Sequence, residues 1–239
     1  MKLCSIFAGL AACVVAITPM SARAKPATRP AAPHAANWLG TVTRTAQEGY
    51  LLGNPAAKVH LVAYISYTCP HCAAFEAQAA GQLALGMIAP GKGSYEIRPY
   101  LRSPIDMVVS LLAECGSPAK FFGNTQLLLA TQRDWMSPLG SLTEAQKARW
   151  ESSDFGSSTR AIASDLGLYT LMARRGYDRV ALDRCLTDKA HADRLARHTQ
   201  DATDKDFVQG TPAFVLNDVP LTGTSTWDML KPQIEARLD

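Results

Sequence analysis

The sequence has almost no surplus of charge. Lys and Arg number 24 against 21 Asp and Glu in 239 residues, a formal net charge of +3 that shrinks once Lys2 and Arg23 are set aside with a removable leader. Such an even balance gives no reason to expect nucleic acid or an anionic surface as a partner. Aromatic residues are only 8 % of the chain and do not interleave with basic ones, the pattern a strand-binding surface would need. There is no internal repeat, no nucleophile elbow and no paired-carboxylate pattern, so solenoid folds, serine hydrolysis and glycoside cleavage have no support. A phosphate-binding loop is nearly spelled by Gly86 to Gly93 (GMIAPGKG). It ends in Gly93 where Ser or Thr is required, and it follows a helical pattern and precedes a strand, the reverse of the needed context.

Long apolar runs are also scarce, and the one present lies at the start. Lys2 is followed by an apolar stretch from Leu3 to Ile17 and by Ala22-Arg23-Ala24, the n-region, core and small-x-small cleavage site of a secretory signal peptide over residues 1–24. Leu10-Ala11-Ala12-Cys13 offers a lipobox reading, with Cys13 as a membrane-tethering lipid anchor, but the apolar core continues past that cysteine. Export to the periplasm is the expectation. Residues 25–37, rich in Pro and Ala without apolar periodicity, read as a disordered lead-in. Cysteine is scarce as well. Of six, Cys4 and Cys13 leave with the leader, and Cys69, Cys72, Cys115 and Cys185 remain, an even number in an oxidising compartment.

What is present begins with Val59 to Ile65 (VHLVAYI), a short continuous apolar run after the turn residues Gly53-Asn54-Pro55, which predicts a buried central strand. The period then changes. Cys72, Phe75, Ala79, Leu83 and Met87 fall three or four apart and predict a helix that stops near Pro90-Gly91. Tyr95 to Leu101 reads as a second strand, joined by a right-handed parallel crossover. From residue 104 to 204 the signals are helical, with stretches at 104–115, 118–133, 158–175, 178–187 and 189–204. This block is too long for a loop and reads as an all-helical insertion in an α/β domain made of residues 38–103 and 205–239. Ala213 to Asn217 and Val219 to Leu221 flank a hairpin turn at Asn217-Asp218. A closing helix has Ser225 and Asp228 at its start and Trp227, Leu230, Ile234 and Leu238 on its apolar face. His191 and His198 lie on a charged helix and read as solvated, His60 reads as a strand residue, and His34 falls in the lead-in.

The cysteine pair in Ser66 to Phe75 (SYTCPHCAAF) therefore straddles a strand-to-helix junction. A zinc site would need two further ligands, and no second C-x-x-C or paired histidine occurs, so no metal is expected. An inert staple across so short a loop would stabilise little. A thiol reacts as its thiolate, and the unpaired N–H groups and positive dipole end of a helix start favour that form at Cys69. Pro70 occupies an early helical position where its missing donor costs nothing, His71 is placed to tune the thiolate, and Cys72 is the more buried, resolving partner.

Cys69-Pro70-His71-Cys72 after Tyr67, together with Gly210-Thr211-Pro212-Ala213-Phe214 about 140 residues later and just before a strand, resembles the DsbA family of periplasmic thiol oxidases. The resemblance covers nearly the whole chain after the leader. It implies a thioredoxin-like fold with an all-helical insertion, no cofactor, a cis proline at Pro212 lying against the active pair, and a substrate-peptide dock formed by Thr211 and Pro212. It also implies unfolded exported proteins with free thiols as substrates, recycling by a DsbB-type quinone-linked membrane partner, and a monomer. Two positions depart from the pattern. The family often has an acid six residues before the first cysteine, here Ala63, and Thr211 also occurs in disulfide isomerases, so an isomerase or reductase remains an alternative, as does a non-catalytic peptide-binding chaperone. Cys115 and Cys185, each on an apolar helix face, are expected to form a structural disulfide, with two buried free thiols as the alternative.

Overall fold

The computed structural model describes residues 36–205 and 208–238; the leader, its Cys13 alternative, His34 and most of the lead-in lie outside them. A short 3-10 turn at Trp38–Gly40 leads into β1 (Val42–Arg44) and β2 (Tyr50–Gly53), followed by β3 (Val59–Ile65) and α1 (Pro70–Leu83), which winds on as a π turn through Ala84–Ile88 to β4 (Gly93–Pro99). Eight helices follow: α2 (Pro104–Ala113), α3 (Phe121–Ala130), α4 (Gln132–Met136), α5 (Glu144–Trp150), α6 (Phe155–Asp165), α7 (Leu168–Ala173), α8 (Arg179–Leu186) and α9 (Lys189–Lys205). The chain returns to the sheet with β5 (Ala213–Leu216) and β6 (Val219–Pro220) and closes on α10 (Trp227–Leu238). The sheet order is β1-β2-β4-β3-β5-β6. β3 and β4 pair in parallel, with α1 as their crossover, and the other neighbours are antiparallel.

Successive residues of a strand face opposite sides of a sheet, and β3 shows why its run is apolar throughout. Val59, Leu61, Ala63 and Ile65 join the main core with Phe75 and Ala79 of α1, while Val62 and Tyr64 face the other way, against Ala202 of α9 and Val208. The helical block shares the sheet's main core, with a smaller cluster of Leu111, Ala192 and Leu195 between α2 and α9. Val108, Val109 and Leu112 of α2 belong to the same cluster as the sheet, and Phe121 of α3 stacks on Tyr50 of β2 with ring centroids 4.0 Å apart.

Several local expectations are corrected. The helix predicted over 118–133 breaks at Thr131, because the Thr131 hydroxyl takes the Leu127 carbonyl (2.8 Å) and the Trp135 indole N–H takes that of Leu128 (2.7 Å). The helix predicted over 158–175 is two, α6 and α7, separated by Gly167 at φ 67°, a left-handed conformation that glycine adopts without a Cβ clash. The closing helix is capped by Thr226, whose hydroxyl accepts from the Met229 amide at 3.4 Å, one position later than Ser225. His191 is buried, not solvated. Its Nε2 lies 2.8 Å from the Glu114 carboxylate at the end of α2, and Arg44 and Arg194 flank its Nδ1 at 3.3 and 3.0 Å. β1, β2 and α5 were not anticipated. Asn217 and Asp218 both have positive φ, 50° and 62°, and form the turn of the β5–β6 hairpin.

A bond joins Cys115, just beyond α2, to Cys185 of α8, with Cα atoms 5.7 Å apart and 70 residues between them in sequence. Loop-closure entropy over that span is worth roughly 4 kcal/mol. Replacing both cysteines with serine is expected to lower the unfolding free energy by about that amount, with a steeper urea dependence because the unfolded chain is no longer cross-linked, read from equilibrium unfolding.

Candidate active site

The active loop is held from the helical block. Between β3 and α1 the chain runs Ser66-Tyr67-Thr68 into Cys69, and this loop is tied down by two buried residues that sequence reasoning missed. Asp106, in the first turn of α2, is fully buried. Its carboxylate accepts from the Ser66 hydroxyl (2.9 Å), the Thr68 amide (2.9 Å) and hydroxyl (3.0 Å), the Arg102 amide (3.0 Å) and the Ser103 hydroxyl (3.2 Å). Gln132 at the start of α4 donates from its amide to the carbonyls of Tyr67 (2.7 Å) and Cys69 (2.9 Å). Ser103 caps α2, its hydroxyl accepting from the Asp106 amide at 3.3 Å; a Ser-x-x-Asp spacing can flag such a helix start, but not that its acid gathers a loop some 40 residues earlier. Tyr67 is fully buried, with its hydroxyl 2.9 Å from that of Thr125.

Cys69 is the N-cap of α1, with φ −86° and ψ 118°, and Pro70 is the first helical residue. Cys69 and Cys72 are both buried, each with a free thiol. The Cys69 thiol reaches the Thr211 carbonyl at 3.1 Å, and the Thr211–Pro212 peptide is cis. Thus Cys69, Pro70, Cys72, Thr211 and Pro212 converge. The His71 ring is exposed at the helix start, and its residue acts on Cys69 through its backbone amide. The positive helix end, expressed through these N–H groups, is one electrostatic device acting on Cys69.

The two sulfurs are driven apart. Cys69 is lowered to about 5, first by the hydrogen bond it receives from the Cys72 thiol, against the opposing effect of burial, then by the Thr211 hydroxyl and by the amides of Cys72 and His71. Cys72 is pushed far above the ordinary thiol range, first by burial, then by its hydrogen bond to Cys69 and the charge there. The Thr211 hydroxyl is buried with no partner at hydrogen-bond distance, so its O–H is available to an ionised sulfur, and it lowers both cysteines. A hydrogen bond to a charged group is worth about 1.5–3 kcal/mol. Thr211→Val is therefore expected to raise the Cys69 titration midpoint by about 1 pH unit, read from the ultraviolet absorbance of the thiolate in the reduced protein.

This geometry is a low-pKa thiol at a helix start beside a buried partner and a cis proline, and the model of the family described as "Thioredoxin" matches residues 45–236. The chain belongs to the thioredoxin family. Its architecture is the DsbA-like one, a thioredoxin-like sheet carrying a helical block. The solved protein-disulfide isomerase of Novosphingobium aromaticivorans is 49 % identical, with a TM-score of 0.77 over 80 % of this chain and 97 % of that one. Alpha-DsbA1 of Wolbachia pipientis shares the fold at 18 % identity, with a TM-score of 0.63 over 79 % of this chain and 89 % of the other. A Rickettsia bellii protein with the provisional name protein-disulfide oxidoreductase is 26 % identical over 169 residues, 71 % of this thioredoxin-family chain. The match spans 57 % of that relative's length.

Proposed function

We propose that the protein is an exported thiol-disulfide oxidase that donates a Cys69–Cys72 disulfide to newly translocated proteins with free thiols. A substrate thiolate attacks Cys69, the Cys69–Cys72 bond breaks, and its electron pair passes to Cys72, which takes up a proton. A second substrate thiolate then attacks the substrate sulfur of the mixed disulfide and releases Cys69 as a thiolate. The substrate loses two electrons and the protein gains them. Regeneration falls to a quinone-linked membrane oxidase of the DsbB type. The observation that carries this reading is the split between the sulfurs, with Cys69 lowered to about 5, because a leaving thiolate so well stabilised favours the reduced protein. Export rests on the leader motif, and the dock at Thr211 and Pro212 on their contact with Cys69.

The test has two arms. Trapping thiols in cells is expected to find the pair oxidised, and the purified oxidised protein is expected to put disulfides into a reduced, unfolded protein, one per molecule without a recycling partner. A second reading, isomerase, is favoured by the name of the relative at 49 % identity. A predominantly reduced pair that only reshuffles existing bonds would decide for it. If replacing both Cys69 and Cys72 with serine left the cellular function intact, redox chemistry itself would fall.

A further inference from the structure

Cys72 must gain a proton each time the disulfide opens and lose one each time it closes, yet it is fully buried, and Ala63, the β3 position facing the same core, has no titratable group. One turn further along α1 lies Glu76, 8 % exposed and on the buried face of that helix with Cys72, Phe75 and Ala79. Residues four apart on a helix have Cβ atoms roughly 5–6 Å apart. The Tyr95 phenol of β4 donates to Glu76 Oε1, and Tyr95 feels the charges of both Glu76 and Cys72, which puts thiol, carboxyl and phenol in one enclosed cluster. On its other side Glu76 borders a cleft of about 240 Å³, lined also by Leu52, Ala80, Tyr95, Phe122 and Gln126, which opens to solvent beside the exposed Gln126.

We propose that Glu76 exchanges the resolving thiol's proton, taking it from Cys72 when the disulfide forms and returning it when the disulfide is reduced, with the cleft as its route to water. On reduction, the bond between the sulfurs breaks with its electron pair on Cys72, the Glu76 carboxyl gives its proton to that sulfur, and the resulting carboxylate is reprotonated from the cleft. Oxidation reverses each transfer. The charge state suits the task, since burial raises Glu76 to about 7 against the pull of its Tyr95 hydrogen bond, close to the operating pH that acid-base exchange favours. The titratable groups facing it are Cys72 on its own helix, Tyr95 from β4 and, from the loop after β3, Tyr67, which senses its charge. From β2 and α3 it meets Leu52, Phe122, Gly123 and Gln126. The inference rests on Cys69 and Cys72 being a redox pair, in either direction of flow.

The test uses the reduced protein rapidly mixed with excess oxidised glutathione, timing release of the second glutathione as Cys72 resolves the mixed disulfide on Cys69. In wild type this rate is expected to rise with pH and level off above about pH 7. Glu76→Gln, which keeps an acceptor for Tyr95, is expected to be slower by at least ~10-fold at neutral pH and to climb without a break. Tyr95→Phe removes the bond that holds the carboxyl down, so its break moves to higher pH, a displacement that loss of packing alone does not produce. A Glu76→Gln profile superimposable on wild type would overturn the proposal while leaving the dithiol intact. Failure of both proteins to exchange with glutathione would instead overturn the redox reading, and this proposal with it.

Discussion

Titrating the reduced protein downward from neutral pH will show the thiolate absorbance vanish in one step centred near pH 5, the value at which Cys69 is held, and Cys69→Ser will remove the step and all thiol-disulfide exchange with it. The expectation follows from who supports the charge. Only the thiolate is a nucleophile or a good leaving group, so a site that keeps Cys69 ionised at neutral pH has lost its chemistry when that sulfur becomes an oxygen. Substitutions at Cys72 separate the contributors. The largest single influence lowering Cys69 is the hydrogen bond from the Cys72 side chain, ahead of the Thr211 hydroxyl and the helix amides. Cys72→Ser keeps an O–H donor and is expected to leave the step near its place, whereas Cys72→Ala is expected to raise it further than Thr211→Val does. Mixed with oxidised glutathione, both Cys72 variants should stall as the Cys69–glutathione mixed disulfide, detectable by mass, because Cys69 still attacks the glutathione disulfide and releases one thiol while the resolving sulfur is absent. A step near the range of free cysteine, or a Cys72→Ala variant indistinguishable from wild type, would remove the basis for assigning disulfide donation.

Much of this site was legible because it is local. Pro70 at the first helical position and the change of period after Cys69 are set by backbone rules acting over a few residues, and they placed the reactive sulfur at a helix start; Gly210-Thr211-Pro212 was read through its resemblance to a family motif. The loop's restraints were not legible. Asp106 and Gln132 act on Ser66 to Cys69 from the helical block, and no spacing rule connects residues so far apart in sequence. His71 shows the limit in the other direction: the residue is in the motif, but its amide faces Cys69 while its ring faces solvent. His191 failed for the same reason as Asp106. A histidine among charges on a long helix reads as solvated until Glu114 arrives from another helix to bury it. β1 and β2 are three and four residues long, too short to show an alternation. The breaks at Thr131 and Gly167 fell inside continuous apolar periodicity, where a glycine or a hydroxyl alone is a weak stop signal.

The same ionisation that makes the thiol reactive should make the two redox forms exchange their order of stability with pH. In the unfolded chain a cysteine titrates near 8.5; in the folded reduced protein Cys69 sits at about 5. Between those values the unfolded state binds one more proton than the folded one, so the stability of the reduced form rises with pH by about 1.4 kcal/mol per unit. The contribution is complete above the unfolded value and is lost as pH falls through about 5. Cys72 stays protonated in the folded protein, since burial holds it well above the thiol range, and in the unfolded chain it begins to ionise only near the top of this window. Glu76 is raised to about 7 by burial and held down by Tyr95, neither of which involves the sulfurs, so to first order it cancels from the difference between forms. The oxidised protein has no thiolate to stabilise and keeps only the small advantage of a closed four-residue loop, roughly 2 kcal/mol. Denaturant unfolding of both forms should therefore find the oxidised protein the more stable below about pH 6 and the reduced protein the more stable by about 1 kcal/mol at pH 7. The gap should go on widening towards pH 8, where it reaches about 2 kcal/mol. By linkage the ionisation is worth roughly 3 kcal/mol at neutral pH, which makes the disulfide some 60 mV more oxidising than the same pair with an ordinary thiol. Thr211→Val, by raising Cys69, should shift the crossing to higher pH by the same interval as its titration step. Parallel stability curves for the two forms, with no crossing between pH 5 and 8, would mean that the folded protein does not hold the charge on Cys69, whatever the hydrogen bonds around it.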